Sequence, residues 1–534
     1  MTKTTSIPRS KLPIFSTEEM DLIYNQEELS EFIGLPFDVA NFKKQIEKKE
    51  KFFSHEQRQM LADTLEENYK ELPRKKLAQA QIKLLKEKNT YTITTGHQLC
   101  LYGGPLYFFL KIIHTIRLSE VLKEHYPEYN FIPIFWMASE DHDSEEIQSL
   151  HLFGKTITWN HDQIGAVGRF DTRNIAEVKK QLLELFRAPK GSEVDDYLNA
   201  LEGKTYGDAF KRWVHHIFGD RGLLVLDADQ KELKKQMIPI FQKELLDNFS
   251  NGCIEQTNEA LLKEKRTTQI YSRKINVFFT EKNKRNRIIE NGKGIYTLGD
   301  KSLAKDELIS LLNKHPDFFS PNVALRPIYQ ELILPNLCYI GGMAELKYWT
   351  QLKSAFEYCT VPYPMIQLRS NLLWIDKNVR KNINQLGLKV EELFDNTEML
   401  QKKILSKSDM HPIDEAKISS SIDITEKTYQ ESIKNNPELE SWLGAELNRI
   451  RKQYKSVQHK IEKSKKNTFD AQLKKVAKVK ENLFPSQKLQ ERKLNLLHFC
   501  NSAPPKNWIE QLYSVIDPLS KDFTILIESE TKQN

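Results

Sequence analysis

Four consecutive residues, Glu140-Asp141-His142-Asp143, place three carboxylates and an imidazole on one short segment. Such a set can hold an ammonium group, pass protons, or bind a hard cation. Acids at this point would also favour the dipole at a helix N-terminus. That second reading covers Ser144, Glu145 and Glu146, but it accounts less well for a histidine between two aspartates. Upstream, His97 and Gln98 precede Gly103-Gly104-Pro105. The glycines permit a tight turn, and proline suits a first helical position. A helix opening there offers unpaired N–H groups and a positive dipole end to a phosphate or carboxylate. The other reading is a plain strand-to-helix connection, with His97 a buried, satisfied histidine. A second double glycine, Gly341-Gly342, precedes a helical stretch carrying Glu345 and Tyr348. Neither turn has the spacing of a P-loop or a G-x-G-x-x-G fingerprint. Arg326 is a candidate carboxylate clamp or a structural salt bridge. Lys111, two turns into its helix, reads as solvated.

These residues need a scaffold that brings them to one edge. Tyr91-Thr92-Ile93-Thr94 has strand composition. Residues 131–137 form a continuous apolar run, as in a sheet covered on both faces. Residues 222–229, 337–342 and 364–368 are three further strand candidates, and Leu106, Phe109, Leu110, Ile113 and Ile116 recur at helical spacing. Strands alternating with helices predict an α/β fold with a doubly wound parallel sheet. In such sheets ligands bind outside the carboxyl ends of the strands, where the 140–143 cluster falls.

At 534 residues the chain exceeds one ordinary core. The spacing of the strands divides it into 1–146 (N-terminal helices and the first half of the core), 147–215 (a first insertion), 216–251 (a core strand and helix), 252–325 (a second insertion), 326–379 (the second half of the core), 380–500 (a helical coiled coil) and 501–534 (a segment returning to the core). The second insertion reads as a hairpin over 274–280 and 287–289, with Lys282 to Arg285 a solvated tip. In the coiled coil, Leu443, Leu447, Ile450, Tyr454, Val457 and Ile461 alternate in steps of four and three; Leu473, Val476 and Leu483 resume after a slip near Thr468-Phe469. Residues 451–480 hold eleven basic residues against two acids. That pattern suits an arm contacting RNA or a solvated lysine face, and with only Tyr454 and Phe469 aromatic no row of base-stacking platforms is evident. Hydrophobic content of 39%, the absence of a membrane-length apolar run and an N-terminus without a signal-peptide core predict a cytoplasmic protein. Five dispersed cysteines argue against a disulfide framework or a sequence-evident zinc site.

Thr95-Gly96-His97-Gln98 with Gly103-Gly104-Pro105-Leu106-Tyr107, residues 133–143, Leu224-Val225-Leu226-Asp227-Ala228-Asp229, and Arg326-Pro327 with Tyr339-Ile340-Gly341-Gly342 and the stretch to Trp349 resemble the bacillithiol biosynthesis cysteine-adding enzymes. The resemblance covers nearly the whole chain. His97 stands where the family pattern has glutamine, and Met343-Ala344 where it has Pro-Gly. What the resemblance implies is a Rossmann-type core like that of class I aminoacyl-tRNA synthetases, two connecting insertions and a dimerising coiled coil. The implied reaction adds cysteine to the amine of glucosaminyl-malate, with ATP activating the cysteine carboxylate. A synthetase-type lysine loop is missing: Gln367-Leu368-Arg369-Ser370-Asn371 leaves only Arg369 to supply charge, and no Cys/His set for a metal is evident. The implied roles are Asp141, His142 and Asp143 in catalysis; His97, Gln98, Glu140, Arg326, Glu345 and Tyr348 in substrate binding, with Arg326 on malate; and Gly103, Gly104, Pro105, Gly341 and Gly342 on the nucleotide. A synthetase-like RNA-binding protein and a non-catalytic coiled-coil assembly factor are the alternatives.

Overall fold

The computed structural model describes residues 2–281, 284–292, 294–406, 414–433, 436–500 and 503–529; the side chains of Glu415, Glu462, Lys465 and Lys466 lie outside the described set. Five parallel strands form the core sheet: β1 (Thr90–His97), β2 (Asn130–Met137), β3 (Leu224–Asp227), β4 (Asn336–Gly341) and β5 (Met365–Leu368). Their order is β5-β4-β1-β2-β3, with every neighbour parallel. The chain winds from β1 toward β3, then crosses to the other side of β1 to lay down β4 and β5. That reversal opens a crevice between β1 and β4, where doubly wound sheets take ligands.

The apolar run of β2 shows why the sheet is covered twice. Side chains alternate between faces along a strand. Ile132, Ile134 and Trp136 join one core with Leu224 and Leu226, while Phe135 and Met137 join another with Val225 and helix Tyr107–His125. That helix begins two residues after Pro105, with Leu106 at its cap.

The first insertion carries the hairpin Ser149–Leu152/Lys155–Thr158 and helices Ile175–Phe186, Glu193–Asn199 and Tyr206–Phe218. The second contains a five-stranded antiparallel sheet whose central hairpin pairs Val277–Glu281 with Lys284–Glu290. Of its tip, Lys282 and Asn283 lie outside the described residues. Pro437–Leu483 is one unbroken helix through the region of the apolar slip. It packs on Lys377–Leu386 and Thr397–Ser406 through Val476, Val479 and Leu483. Farther out, Ile450, Tyr454 and Val457 are exposed. No helix among the described residues is long and apolar enough to cross a membrane.

The two chain ends depart from the expected organisation. Asp522–Glu528 does not return to the parallel core sheet. It pairs antiparallel with Thr2–Pro8 and parallel with Leu372–Ile375 in a separate three-stranded sheet. The first residues are therefore a strand of the C-terminal unit rather than part of an N-terminal helical segment. Long-range pairing of this kind leaves no local signal.

Candidate active site

The carboxyl ends of the core strands floor a cleft of about 1220 Å³. The hairpin of the second insertion roofs it with Phe278, Arg285 and Arg287, and the segment after the long helix walls it with Lys488 and Arg492. His97, Gln98, Glu140, Asp141, His142, Arg326, Gly342, Glu345 and Tyr348 all line it. Tertiary structure thus gathers residues as far apart in the sequence as His97 and Tyr348.

Asp141 follows β2 and is fixed from two sides. Its Oδ2 accepts Gln98 Nε2 at 2.7 Å, and its Oδ1 accepts the backbone N–H of His142 at 2.7 Å. Burial opposes the charge, but the His142 side chain, the Gln98 and His142 N–H bonds and Arg285 together hold the carboxyl well below its usual range. The anionic form of Asp141 is thereby favoured, which suits an ammonium group. His142 Nδ1 accepts from Arg285 Nη1 at 3.0 Å, which puts its ring proton on Nε2.

His97 ends β1 and packs on Tyr107 and Phe108. Its Nδ1 lies 2.8 Å from the Gln98 carbonyl, which can only accept, so the proton sits on Nδ1 and Nε2 keeps its lone pair. Burial and the nearby Lys111 push its pKa down to about 4. The imidazole is neutral at physiological pH.

At the switch point, Glu345 sits in the first turn of helix Met343–Thr350 and reaches back to the Gly342 N–H at 2.7 Å. Tyr339 donates to its other oxygen at 2.6 Å, and Lys111 Nζ lies 2.6 Å away. Lys111 is therefore not solvated: its side chain is 3% exposed. Burial lowers its pKa while Glu345 opposes the drop, and Glu345, despite burial, is held down by Lys111. Arg326 opens helix Arg326–Ile333 with its guanidinium 5.8 Å from the Trp136 ring centroid and 5.5 Å from that of Tyr339. It donates to Gln330 at 3.0 Å and to the Tyr348 hydroxyl at 3.4 Å. No carboxylate among the described residues pairs with it, so the expected alternative of a structural salt bridge does not hold. Its charge is left to the cleft.

Other expectations are corrected by location. Gly103, Gly104 and Pro105 do not line the cleft. The Gly103, Gly104 and Leu106 amides already donate to the carbonyls of Cys100, Leu101 and Leu494, so the turn has little left for an anion. Asn495 in turn caps the carbonyls of Tyr102 and Gly104. Gly341 lies under Leu346, which a Cβ would meet at 2.8 Å; only Gly342 faces the cleft, and its N–H is taken by Glu345. Asp143 caps the short helix Ser144–Ile147 by accepting the Glu146 N–H, and it lies outside the cleft lining. Its position is the helix-terminus reading of the acidic run. Glu140 lines the cleft but lies 2.7 Å from buried Lys234, which also binds Asp229. Although burial opposes it, Asp229 is brought down to about 2 by Lys234 and by Arg169 at 2.7 Å. Glu140, after β2, and Asp229, after β3, share Lys234 in an ion network behind the site.

Arg285, read from sequence as part of a solvated tip, is instead a roof residue. Thr280 pairs with Arg285 and Phe278 with Arg287 across the hairpin, so all four side chains share the cleft face. Arg285 stacks 3.9 Å from the Phe278 centroid and bonds Ser320 and Pro321. The alternation of Arg285 and Arg287 was the available signal, since period two puts both on one face. Arg369, the expected source of phosphate charge, is committed to buried Glu491 at 2.8 Å. Glu491 also takes the side chain of Asn371 and the Leu372 N–H, tying the end of β5 to the C-terminal unit.

Two family models match the chain: bacillithiol biosynthesis BshC, N-terminal Rossmann-like domain, over residues 7–370, and the BshC C-terminal coiled-coil domain over 372–528. A Flavobacterium johnsoniae protein named "Putative cysteine ligase BshC" is 36% identical over 524 residues, 96% of this chain and 97% of the relative. A Flavobacterium psychrophilum protein of the same name is 36% identical over 538 residues, 98% and 99% of the two chains. A Bacillus anthracis protein so named is 28% identical over 444 residues, 79% and 81%. A solved Campylobacter jejuni structure titled "putative arginyl t-RNA synthetase" overlaps 79% of this chain and 92% of its own at 11% identity, with a TM-score of 0.20. With a Rossmann-like domain and a coiled-coil domain both matched and full-length relatives at 36% identity, the chain belongs to the BshC family of bacillithiol biosynthesis.

Proposed function

We propose that this cleft joins the carboxyl carbon of cysteine to the amine of glucosaminyl-malate, with ATP as the activating co-substrate. One observation carries the reading: an ionised Asp141, an unpaired Arg326 and a neutral His97 open into one cleft at the switch point of the sheet. Asp141 suits the cysteine ammonium. Arg326, with a guanidinium fork that matches a carboxylate, suits malate. The sugar amine must be neutral to attack, and it sheds a proton as the carbon–nitrogen bond forms and a carbon–oxygen bond breaks. His97 Nε2, with its lone pair free, can accept the attacking N–H and orient it, and the proton passes to solvent. The relatives' name, cysteine ligase, agrees with this chemistry.

Residues fitting a polyphosphate are present, though not at the glycine turn. Arg273, Arg287, Lys488 and Arg492 line the cleft, and none makes an ion pair among the described residues. They would hold ATP, which supplies the activation that turns a carboxylate into an acylating group. Exposed Ile450, Tyr454 and Val457 support a homodimer through the long helix, a state that sedimentation reads directly. The test of function is to incubate the protein with cysteine and glucosaminyl-malate, with and without ATP, and follow the amide by mass spectrometry. Product only with ATP is expected. No product under any condition overturns the ligase reading, and equal product without ATP overturns the activation step.

A further inference from the structure

Lys111 is a buried cation that the proposed chemistry does not use. It projects from helix Tyr107–His125 to the end of β1, where Nζ meets the Gly96 carbonyl at 2.5 Å and Glu345 at 2.6 Å. Glu345 accepts three donors in all: Lys111 and the Gly342 N–H on one oxygen, the Tyr339 hydroxyl on the other. Arg326 lies against the same Tyr339 ring, and its environment includes the Glu345 charge. The group holds two cations and one carboxylate, so one positive charge is left over. Geometry decides which cation keeps it: Glu345 is turned to Lys111, and among the described residues the side-chain partners of Arg326 are the neutral Gln330 and Tyr348.

We propose that Lys111 is a positioning residue: by serving as the dedicated counter-ion of Glu345, it keeps Arg326 unpaired and available to a substrate carboxylate. Without Lys111, Glu345 and Arg326 are left as opposite charges at the cleft floor, Glu345 keeping the neutral Tyr339 and Gly342 donors. Their mutual attraction then competes with the ligand for the guanidinium. The inference rests on the reading of Arg326 as the carboxylate clamp.

The test measures calorimetric affinity for glucosaminyl-malate, and KM where turnover permits, in wild type, Lys111→Met, Lys111→Met/Glu345→Gln and Arg326→Ala. Arg326→Ala should weaken binding about 30-fold or more, the low end for truncating one partner of a buried charge pair. Lys111→Met should weaken it comparably, and the double variant should restore affinity to within a few-fold of wild type. Methyl glucosaminide, which lacks both carboxylates, should be indifferent to Lys111→Met. If Lys111 serves only stability, the double variant stays as weak as the single one, and this result overturns the inference. Equal losses for methyl glucosaminide do the same. If Arg326→Ala binds like wild type, the clamp reading itself fails and takes the inference with it; if Arg326→Ala weakens binding and Lys111→Met does not, only the inference falls.

Discussion

Replacing His114 with glutamine should flatten the acid sensitivity of this protein by an amount the structure sets. His114 is 1% exposed in helix Tyr107–His125. Its Nδ1 accepts the Ser370 N–H at 3.1 Å and contacts the Ser370 hydroxyl at 2.8 Å, and its Nε2 lies 3.0 Å from Gln367 Oε1. A ring that accepts at Nδ1 and donates from Nε2 is neutral, and burial pushes its pKa down from 6.5 to about 4. Between those values the unfolded chain binds the proton that the folded one refuses. The contribution of His114 to stability is thus complete above pH 6.5 and lost as pH falls toward 4. Linkage puts the loss at about 2 kcal/mol by pH 5, relative to pH 7.5, and about 3 kcal/mol below pH 4. His114→Gln forgoes bonds worth about 1–3 kcal/mol at pH 7.5, since Ser370 keeps a buried N–H. Its deficit against wild type should close by about 2 kcal/mol at pH 5. Urea unfolding followed by tryptophan fluorescence at pH 7.5, 6 and 5 measures both curves. His97, down near 4 for the same reason, adds an acid-dependent fall common to the two proteins. Parallel curves from pH 7.5 to 5 would refute the assignment of a neutral, buried His114.

Three other perturbations probe separate parts of the argument. Lys49 and Glu331 are both 0% exposed and 2.9 Å apart, joining helix Phe42–Phe52 to the helix that begins with Arg326. Lys49→Met should cost about 3–5 kcal/mol in urea unfolding by stranding the carboxylate, and Lys49→Met/Glu331→Gln should cost less. Gly103→Ala places a Cβ 2.7 Å from Phe108 Cδ1 at a φ of +79°. It should lose about 1–3 kcal/mol of stability yet bind glucosaminyl-malate with wild-type affinity, because the turn faces the aromatic core rather than the cleft. Asp141→Asn keeps the shape and removes the charge. It should raise KM for cysteine about 10-fold to 100-fold, and an unchanged KM in a folded variant would remove Asp141 from the ammonium site.

The parallel sheet was legible because its signals are local. The apolar run of β2, the aromatic and β-branched run Tyr91 to Thr94 and the helical spacing after Leu106 each report their element within about ten residues. The acidic cluster stood out for a related reason: an abrupt polarity change after a buried strand marks its carboxyl end. Roles within the cluster were not legible. Asp141 and Asp143 are equivalent in the sequence, yet one accepts from Gln98 at the end of the neighbouring strand and the other caps its own helix. Likewise Lys111 looks like any helical lysine until Glu345, 234 residues away, is brought within 2.6 Å.

The sequence by itself therefore determined the strands, their alternation with helices, and the segments carrying titratable groups to strand ends, since patterning and turn chemistry act over short stretches. Tertiary structure alone decided which charges are spent and which are free. It bound Lys111 to Glu345 and Arg369 to Glu491, swung Arg285 over the cleft, left Arg326 without a carboxylate among the described residues, and paired the two chain ends in a sheet of their own. A side chain's availability depends on partners within a few ångströms, and those partners come from anywhere in the chain.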